Sequence, residues 1–177
     1  MKQLFKILYI ICLLLPFTAC NNNDEADEAW KNSNQDAYRK VQNDPSYTAL
    51  ETASGPSGVY YKVIDGKTGD ETNYPLHTAS VKILYKGYYY DDAANLFDEG
   101  TGSSNTAKEL YLQNTVRGFN FALQNMSLGA KWKIVIPYYL GYGETNLYDD
   151  YYNVTMKGCT TLFFEVELVE INQYPKQ

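Results

Sequence analysis

Two stretches of this chain alternate apolar and polar side chains with a period of two, and that periodicity commits the fold to a sheet. From Val81 to Tyr90, Val81, Ile83 and Tyr85 point one way, and Lys82, Leu84 and Lys86 the other. From Lys131 to Pro137, Trp132, Ile134 and Ile136 share a face. A third strand is predicted from Thr160 to Ile171, nearly continuous in apolar character at Leu162-Phe163-Phe164. Val59 to Ile64, rich in β-branched and aromatic residues and closed by Asp65-Gly66, reads as a further strand, and Leu110 to Leu112 as a short one. One helix interrupts them. Phe119, Leu123 and Met126 fall at helical spacing and predict a helix over Val116 to Met126, with Leu128-Gly129 as its C-terminal cap. Antiparallel strands with one helix between two of them make an α+β domain.

The N-terminus has a different character. Lys2 and Lys6 precede an apolar run from Ile7 to Leu15, which is too short to span a bilayer comfortably and has the length of a secretory leader. It ends in Phe17-Thr18-Ala19-Cys20, which resembles a bacterial lipobox, with Phe17 where leucine is usual. Residues 1–19 are therefore expected to be a lipoprotein signal peptide and Cys20 the lipidated first residue; the alternative is an ordinary leader followed by an incidental cysteine. Under both readings the mature protein leaves the cytoplasm. Residues 20–54 read as a tether. Asn21 to Glu25 is polar and acidic, either a surface-export signal or a solvated linker. Trp30, Ala37, Tyr38 and Val41 then share one face of a short amphipathic helix over Asp27 to Val41, ended by Asn43-Asp44-Pro45. Ser54-Gly55-Pro56-Ser57-Gly58 reads as a loop and a domain boundary, so residues 55–177 are expected to fold alone and residues 21–54 to be dispensable for activity.

Charge and cysteine content narrow the chemistry. The net charge is −6, and it becomes more negative when Lys2 and Lys6 leave with the leader. Nucleic acid is a poor partner for such a chain, which has no basic stripe to meet phosphates. Cys159 is the one cysteine of the folded part and His77 the one histidine, too little for a metal site, a disulfide or a cysteine–histidine pair. No cofactor is expected. Tyrosine, at 18 residues, far outnumbers phenylalanine, at 7, and favours strands and half-wet concave surfaces.

Five strings, in order, carry a resemblance. They are VKILYKG from Val81 to Gly87, FDEG from Phe97 to Gly100, the run Thr115 to Pro137, LGYG from Leu140 to Gly143, and TTLFFEVELVEI from Thr160 to Ile171. Together they resemble the FKBP family of peptidyl-prolyl cis–trans isomerases, in an exported lipoprotein form. The resemblance implies an antiparallel β-sheet half-wrapped around one short α-helix, here preceded by the tether and its helix. It implies that Tyr85, Phe97, Phe119 and Phe164 wall a pocket for the proline ring. It places Val116 at the pocket edge with its backbone N–H toward a substrate carbonyl, Tyr142 as a phenol donor, and Asp98 beside the twisted amide. Proline-containing polypeptides are the implied partners, with a macrolide-type compound as a pocket ligand and a monomer as the expected state. The chain departs from the family in three places. Phe119 replaces a usual tryptophan at the pocket floor. A further pocket aromatic is not placed, with Leu110 and Tyr111 as candidates. Met156-Lys157-Gly158 stands where an Ile-Pro-Pro element is usual, after an acidic, tyrosine-rich flap from Glu144 to Thr155.

Two other readings stay open: an FKBP-like domain that binds peptides or a surface component without useful catalysis, and glycan binding through exposed tyrosines. Tyr88-Tyr89-Tyr90, Tyr138-Tyr139 and Tyr151-Tyr152 could serve either, or be strand residues in cross-strand pairs. The leader itself generates a prediction. Mass spectrometry of the mature N-terminus is expected to find a lipid-modified Cys20, and an unmodified start at any other residue would refute it.

Overall fold

The computed structural model describes residues 22–90, 95–100 and 107–174, with side chains from residue 27 onward. The leader and Cys20 lie outside the described residues. The elements in chain order are α1 (Asn22–Gln42), β1 (Thr48–Thr52), β2 (Gly55–Val63), β3 (Ser80–Tyr88), β4 (Leu96–Gly100), β5 (Lys108–Tyr111), α2 (Arg117–Gln124), β6 (Lys131–Ile136), β7 (Leu147–Tyr148), β8 (Val154–Met156) and β9 (Leu162–Asn172). Seven strands form one antiparallel sheet in the order β1-β2-β6-β9-β3-β4, with β5 also paired to β3. β4 and β5 divide the outer edge of β3 between them. β5 takes Ser80 to Ile83 and β4 takes Tyr85 to Tyr88. β7 and β8 form a separate hairpin in the flap. This is the α+β architecture expected, an antiparallel sheet partly wrapped around a short helix and preceded by another helix.

Alternation in β3 and β6 gives the sheet an inner face, and α2 lies against it. Phe119, Ala122 and Leu123 of the helix, followed by Met126, are buried against Ile83, Ile134, Ile136, Leu162, Val166 and Leu168. The helix is shorter than its periodicity predicts: it stops at Gln124, where Asn125 caps it. Gly129 is not its cap. It has φ +82° and donates its N–H to Leu168 O at 2.8 Å, turning the chain into β6.

The outer face is also covered. Val135 and Phe163 are 0% exposed and Tyr88 1%. They form a second core with Val41 and Tyr47, against which Ala37, Tyr38 and Tyr60 pack. α1 thus docks across the back of the sheet, and polar contacts fix its position. Asn34 is wholly buried. Its Oδ1 accepts from Thr161 N at 2.9 Å, its carbonyl accepts from Thr161 Oγ1 at 3.1 Å, and its Nδ2 donates to Trp30 O at 2.9 Å. Tyr38 Oη donates to Gly58 O at 2.6 Å. Among the described residues no helix is long and apolar enough to cross a membrane.

Two elements differ from the sequence reading for a physical reason. The Gly-Pro-Ser-Gly segment, expected as a loop, opens strand β2. Gly55 and Gly58 take φ of +112° and +89°, and the pairing with β1 shifts register between Ala49 and Glu51. Positive φ at both glycines makes an irregular strand that any other residue would strain. Pro56 is tolerated because β2 pairs with β6 only from Tyr60 onward, so no ladder bond is asked of its nitrogen on that side. The segment expected as a dispensable tether supplies both a strand and one side of the second core.

That docking sets an expectation for stability. Asn34→Ala leaves the buried Thr161 N–H without its acceptor, a loss of about 1–3 kcal/mol. A melting-temperature drop of roughly 2–12 °C follows for a chain of this size, at about 2–4 °C per kcal/mol. A chain starting near Ser54 exposes Tyr88, Val135 and Phe163 together and is expected to lose its cooperative melt. Differential scanning calorimetry checks both; an unchanged melt in the truncated chain would show that the second core adds nothing.

Candidate functional site

The site begins with a residue that has no side chain. Gly87 pairs with Asp98 on β4 and with Phe164 on β9. A Cβ on Gly87 would lie 2.7 Å from the ring of Phe97 and 2.9 Å from that of Phe164. Only glycine lets both rings close over the sheet there. Phe97 and Phe164 meet edge to face, with centroids 5.5 Å apart and planes at 83°. Phe119, carried in by α2, tilts against Phe164 at 4.8 Å. Such pairs add about 0.5–1.5 kcal/mol each beyond the area they bury. Phe119 and Phe164 are buried and Phe97 is half-buried, so the cluster has a closed floor and a side that is partly open.

A polar rim stands beside the rings. Tyr85, on the same strand as Gly87, donates from Oη to Asp98 Oδ2 at 2.7 Å. Lys108 Nζ donates to Tyr85 Oη at 2.8 Å and lies 3.7 Å from Asp98 Oδ2. Burial raises the Tyr85 phenol above its ordinary value. The hydrogen bond to Tyr85 raises the Lys108 ammonium, with the Asp98 charge adding to it. Tyr142 is 43% exposed. Its phenol is raised by burial first and then by the charge of Asp98. Val116 caps α2 in extended conformation and accepts from Asn120 N at 3.0 Å, and its side chain packs on the inner core.

Of the seven residues singled out in the sequence, Tyr85 and Asp98 are hydrogen-bonded, and Phe97, Phe164 and Phe119 are in ring contact. Val116 starts the helix that carries Phe119. Tyr142 stands apart from the rings, within electrostatic range of the rim. Two participants were missed. The motifs do not reach Lys108; the candidates near it, for a further pocket aromatic, are Leu110, which packs on the core, and Tyr111, which is exposed. Lys108 stands two residues before Leu110 on β5 and so shares its face, a placement that follows once β5 pairs Ile83 with Lys108. Tyr89 was read only as part of a tyrosine run. It tilts against Phe97 at 5.1 Å and extends the ring cluster beyond the end of β3.

The remaining tyrosine runs divide. Tyr88 is core, whereas Tyr151 and Tyr152 are 85% and 88% exposed at the flap tip. Asp149 shapes that tip, accepting from Tyr151 N and Asn153 N at 2.9 Å each. The hydrogen bonds from Asn153 hold its carboxyl below the usual range. Cys159 is buried at the flap base, and burial pushes its thiol up. A cavity of about 540 Å³ beside α2, lined among others by His77, Arg117 and Gln124, contains none of the seven residues.

Residues 71–169 match the sequence model of the family described as FKBP-type peptidyl-prolyl cis-trans isomerase. The chain is 32% identical over 118 residues to the FKBP-type 22 kDa peptidyl-prolyl cis-trans isomerase of Escherichia coli K12, covering 67% of this chain and 52% of that protein. It is 26% identical over 138 residues to the outer membrane protein MIP of Legionella longbeachae, covering 76% of this chain and 54% of that protein. The chain thus spans about half the length of these curated relatives. The crystal structure of a peptidyl-prolyl cis-trans isomerase from Pseudomonas syringae pv. tomato aligns with a TM-score of 0.65 at 27% identity, over 82% of this chain and 96% of that one. That of FkpA from Escherichia coli aligns with a TM-score of 0.67 over 98% of this chain and 74% of that one; its 20% identity speaks for the fold alone. The matched segment runs from before β3 into the last turns of β9 and holds every ring of the cluster and every group of its rim, and on that match this chain belongs to the FKBP-type peptidyl-prolyl cis-trans isomerase family.

Proposed function

We propose that this protein is a peptidyl-prolyl cis–trans isomerase that acts on Xaa-Pro bonds of exported proteins. The observation that carries the reading is the joining of a partly open aromatic cluster, Phe97, Phe164 and Phe119, to a hydrogen-bonded polar rim, Tyr85, Asp98 and Lys108. The reaction needs little else. Rotation about the amide bond has a barrier of roughly 18–20 kcal/mol, set by resonance. A twisted amide has lost that resonance, and its carbonyl is less polar than the planar one. An apolar floor that grips the proline ring and strips water from the carbonyl therefore favours the twisted form over the planar one. In this reading Phe119 is the floor, and Tyr85, Phe97 and Phe164 are the walls. Val116 offers its N–H to a substrate carbonyl, and Tyr142 donates from the flap side. Asp98 orients Tyr85 and sits beside the twisting bond, with Lys108 holding the pair in place. A macrolide-type compound would occupy the same cleft. A lipid on Cys20 would hold the monomer at the cell envelope, on the periplasmic or surface face of the outer membrane. The second reading is a domain of the same build that binds peptides without useful catalysis, favoured by the exposed Tyr151 and Tyr152.

The rate of cis–trans conversion in a short Xaa-Pro peptide tests the proposal. The wild type is expected to show modest activity, because phenylalanine at the floor offers less apolar area than tryptophan, a loss on the order of 1 kcal/mol. Phe119→Trp is expected to raise catalytic efficiency by up to about tenfold. Phe97→Ala and Tyr142→Phe are expected to lower it, the first by opening a wall and the second by removing a donor. No activity in the wild type or in Phe119→Trp, with both folded, leaves the binding reading in its place.

The rim also predicts a pH profile. A raised phenol pKa keeps the Tyr85 proton to higher pH, and a raised ammonium pKa keeps the Lys108 charge to higher pH. Neither group changes form between about pH 6 and about pH 9. The rate, corrected for the thermal reaction, is expected to be flat across that window; a step within it would mean that another group titrates at the site.

A further inference from the structure

A row of aromatic rings runs from the back of the sheet to the floor of the cleft. Trp30 lies on α1, the helix that covers the back of the sheet, beside the end of β3. Its ring meets Tyr89 edge-on at 5.5 Å. Tyr89 meets Phe97 at 5.1 Å, Phe97 meets Phe164 at 5.5 Å, and Phe164 meets Phe119 at 4.8 Å. The sheet separates the two cores along most of its length. At the end of β3 it stops, and Tyr89 passes round the edge to pack on the inner core.

Trp30 also touches two segments next to the cleft. On one side are Tyr89 and Tyr90, at the end of β3, whose partner strand β4 carries Phe97 and Asp98. Tyr89 N donates to Asn95 O at 3.0 Å, and Tyr90 takes φ +59°. An aromatic residue occupies that region only when its surroundings hold it there. The ring of Trp30 lies 5.1 Å from that of Tyr90, and Asn34 Nδ2 reaches Tyr90 Oη at 3.5 Å. On the other side is the return of the flap. Trp30 Nε1 donates to Thr160 Oγ1 at 3.1 Å, and Lys157 Nζ sits 5.1 Å over the indole.

We infer that Trp30 is a positioning residue for the proline cleft, which sets the place of Phe97 through Tyr89 and ties the flap base to the same helix. The inference rests on the isomerase reading for its consequence, but the packing it describes can be measured without it. Trp30 acts on the cleft through Tyr89 and Thr160, so its effect is on geometry. Misplacing a wall by a fraction of an ångström weakens contacts that grow toward the twisted state, so turnover suffers more than ground-state binding.

The experiment compares four variants of the protein with the wild type. Trp30→Ala is expected to lower kcat/KM about tenfold, mostly in kcat. Trp30→Phe restores a ring against Tyr89 without the bond to Thr160 and is expected to recover most of that loss. Tyr89→Leu cuts the row at its next member and should match Trp30→Ala; it decides the matter if Trp30→Ala does not fold. Tyr38→Phe is the control for helix docking. It removes the 2.6 Å bond to Gly58 O, far along the helix from the row, and is expected to lower the melting temperature while leaving kcat/KM unchanged. The same proteins labelled with fluorophenylalanine supply a readout independent of activity. The Phe97 resonance is expected to move or broaden in Trp30→Ala and Tyr89→Leu and to stay in place in Tyr38→Phe. An inactive wild type would sink the isomerase reading, and the Phe97 resonance would still judge the packing. The inference is overturned if Trp30→Ala and Tyr89→Leu retain wild-type kcat/KM, or if Phe97 is unmoved in both.

Discussion

Strand β9 is buried on both faces where it starts, at Leu162, Phe163 and Phe164, and the rest of the structure depends on that. It pairs with β6 on one side, from Leu162 to Glu167, and with β3 on the other, from Phe163 to Asn172. Its inward side chains, Leu162, Phe164, Val166 and Leu168, meet α2 and the inner core. Phe163 points the other way and is wholly buried beneath α1. A strand with water on one face could not carry Leu162-Phe163-Phe164 in succession without exposing a large ring. The helix α1 is therefore the condition under which this sequence can use that strand. Phe163 on the back and Phe164 in the cleft sit on adjacent residues, so a shift of β9 along its axis would disturb both sites.

The sheet, its inner face and α2 were legible from the sequence because each rests on a local period. Val81, Ile83 and Tyr85 face inward as their alternation requires, and so do Trp132, Ile134 and Ile136. The docking of α1 was not read, although its trace was present. Ile134-Val135-Ile136 and Leu162-Phe163-Phe164 break alternation at neighbouring positions, and Val135 pairs with Phe163. Continuous apolar runs in paired strands mean burial on both faces. What hid the partner is the composition of α1. Its docked face relies on Trp30, Asn34, Tyr38 and Val41. A polar Asn34 and a tyrosine hydroxyl supply much of the fit, so a count of aliphatic residues makes the helix look like a spacer.

In the candidate site, motif order reached residues on strands, on the helix and, with Tyr142, in a turn, but it did not reach Lys108. Tyr85, Phe119 and Phe164 lie within β3, α2 and β9, and motif order was enough to name them. Lys108 depends on where β5 resumes after the segment that follows β4, and no local pattern fixes that register. Its arrival changes the chemistry of the rim. An aromatic residue at that place would extend the apolar wall. A lysine instead brings a cation within 3.7 Å of Asp98 and a second hydrogen bond to Tyr85 Oη. The rim is then a closed set of one anion, one cation and one phenol, whose charges offset one another beside the rings.

That balance bears on the proposed preference of the cleft for a twisted amide. A lone carboxylate at the rim would draw water and keep the site wet, which works against stripping the carbonyl. Pairing Asp98 with Lys108 and Tyr85 satisfies its Oδ2, the oxygen beside the ring cluster, from within the protein, while the rest of the carboxylate stays about half-exposed. The arrangement holds only if β4, which bears Asp98, keeps its place against β3. β4 is an edge strand with a register shift between Gly87 and Tyr88, so its pairing alone holds it loosely. The rings that follow, Tyr89 against Phe97 and Trp30 against Tyr89, supply side-chain contacts where the ladder is weakest. The polar rim, the ring cluster and the helix behind the sheet thus answer one constraint: Asp98 and Phe97 must be held on a strand that the sheet grips from one side only.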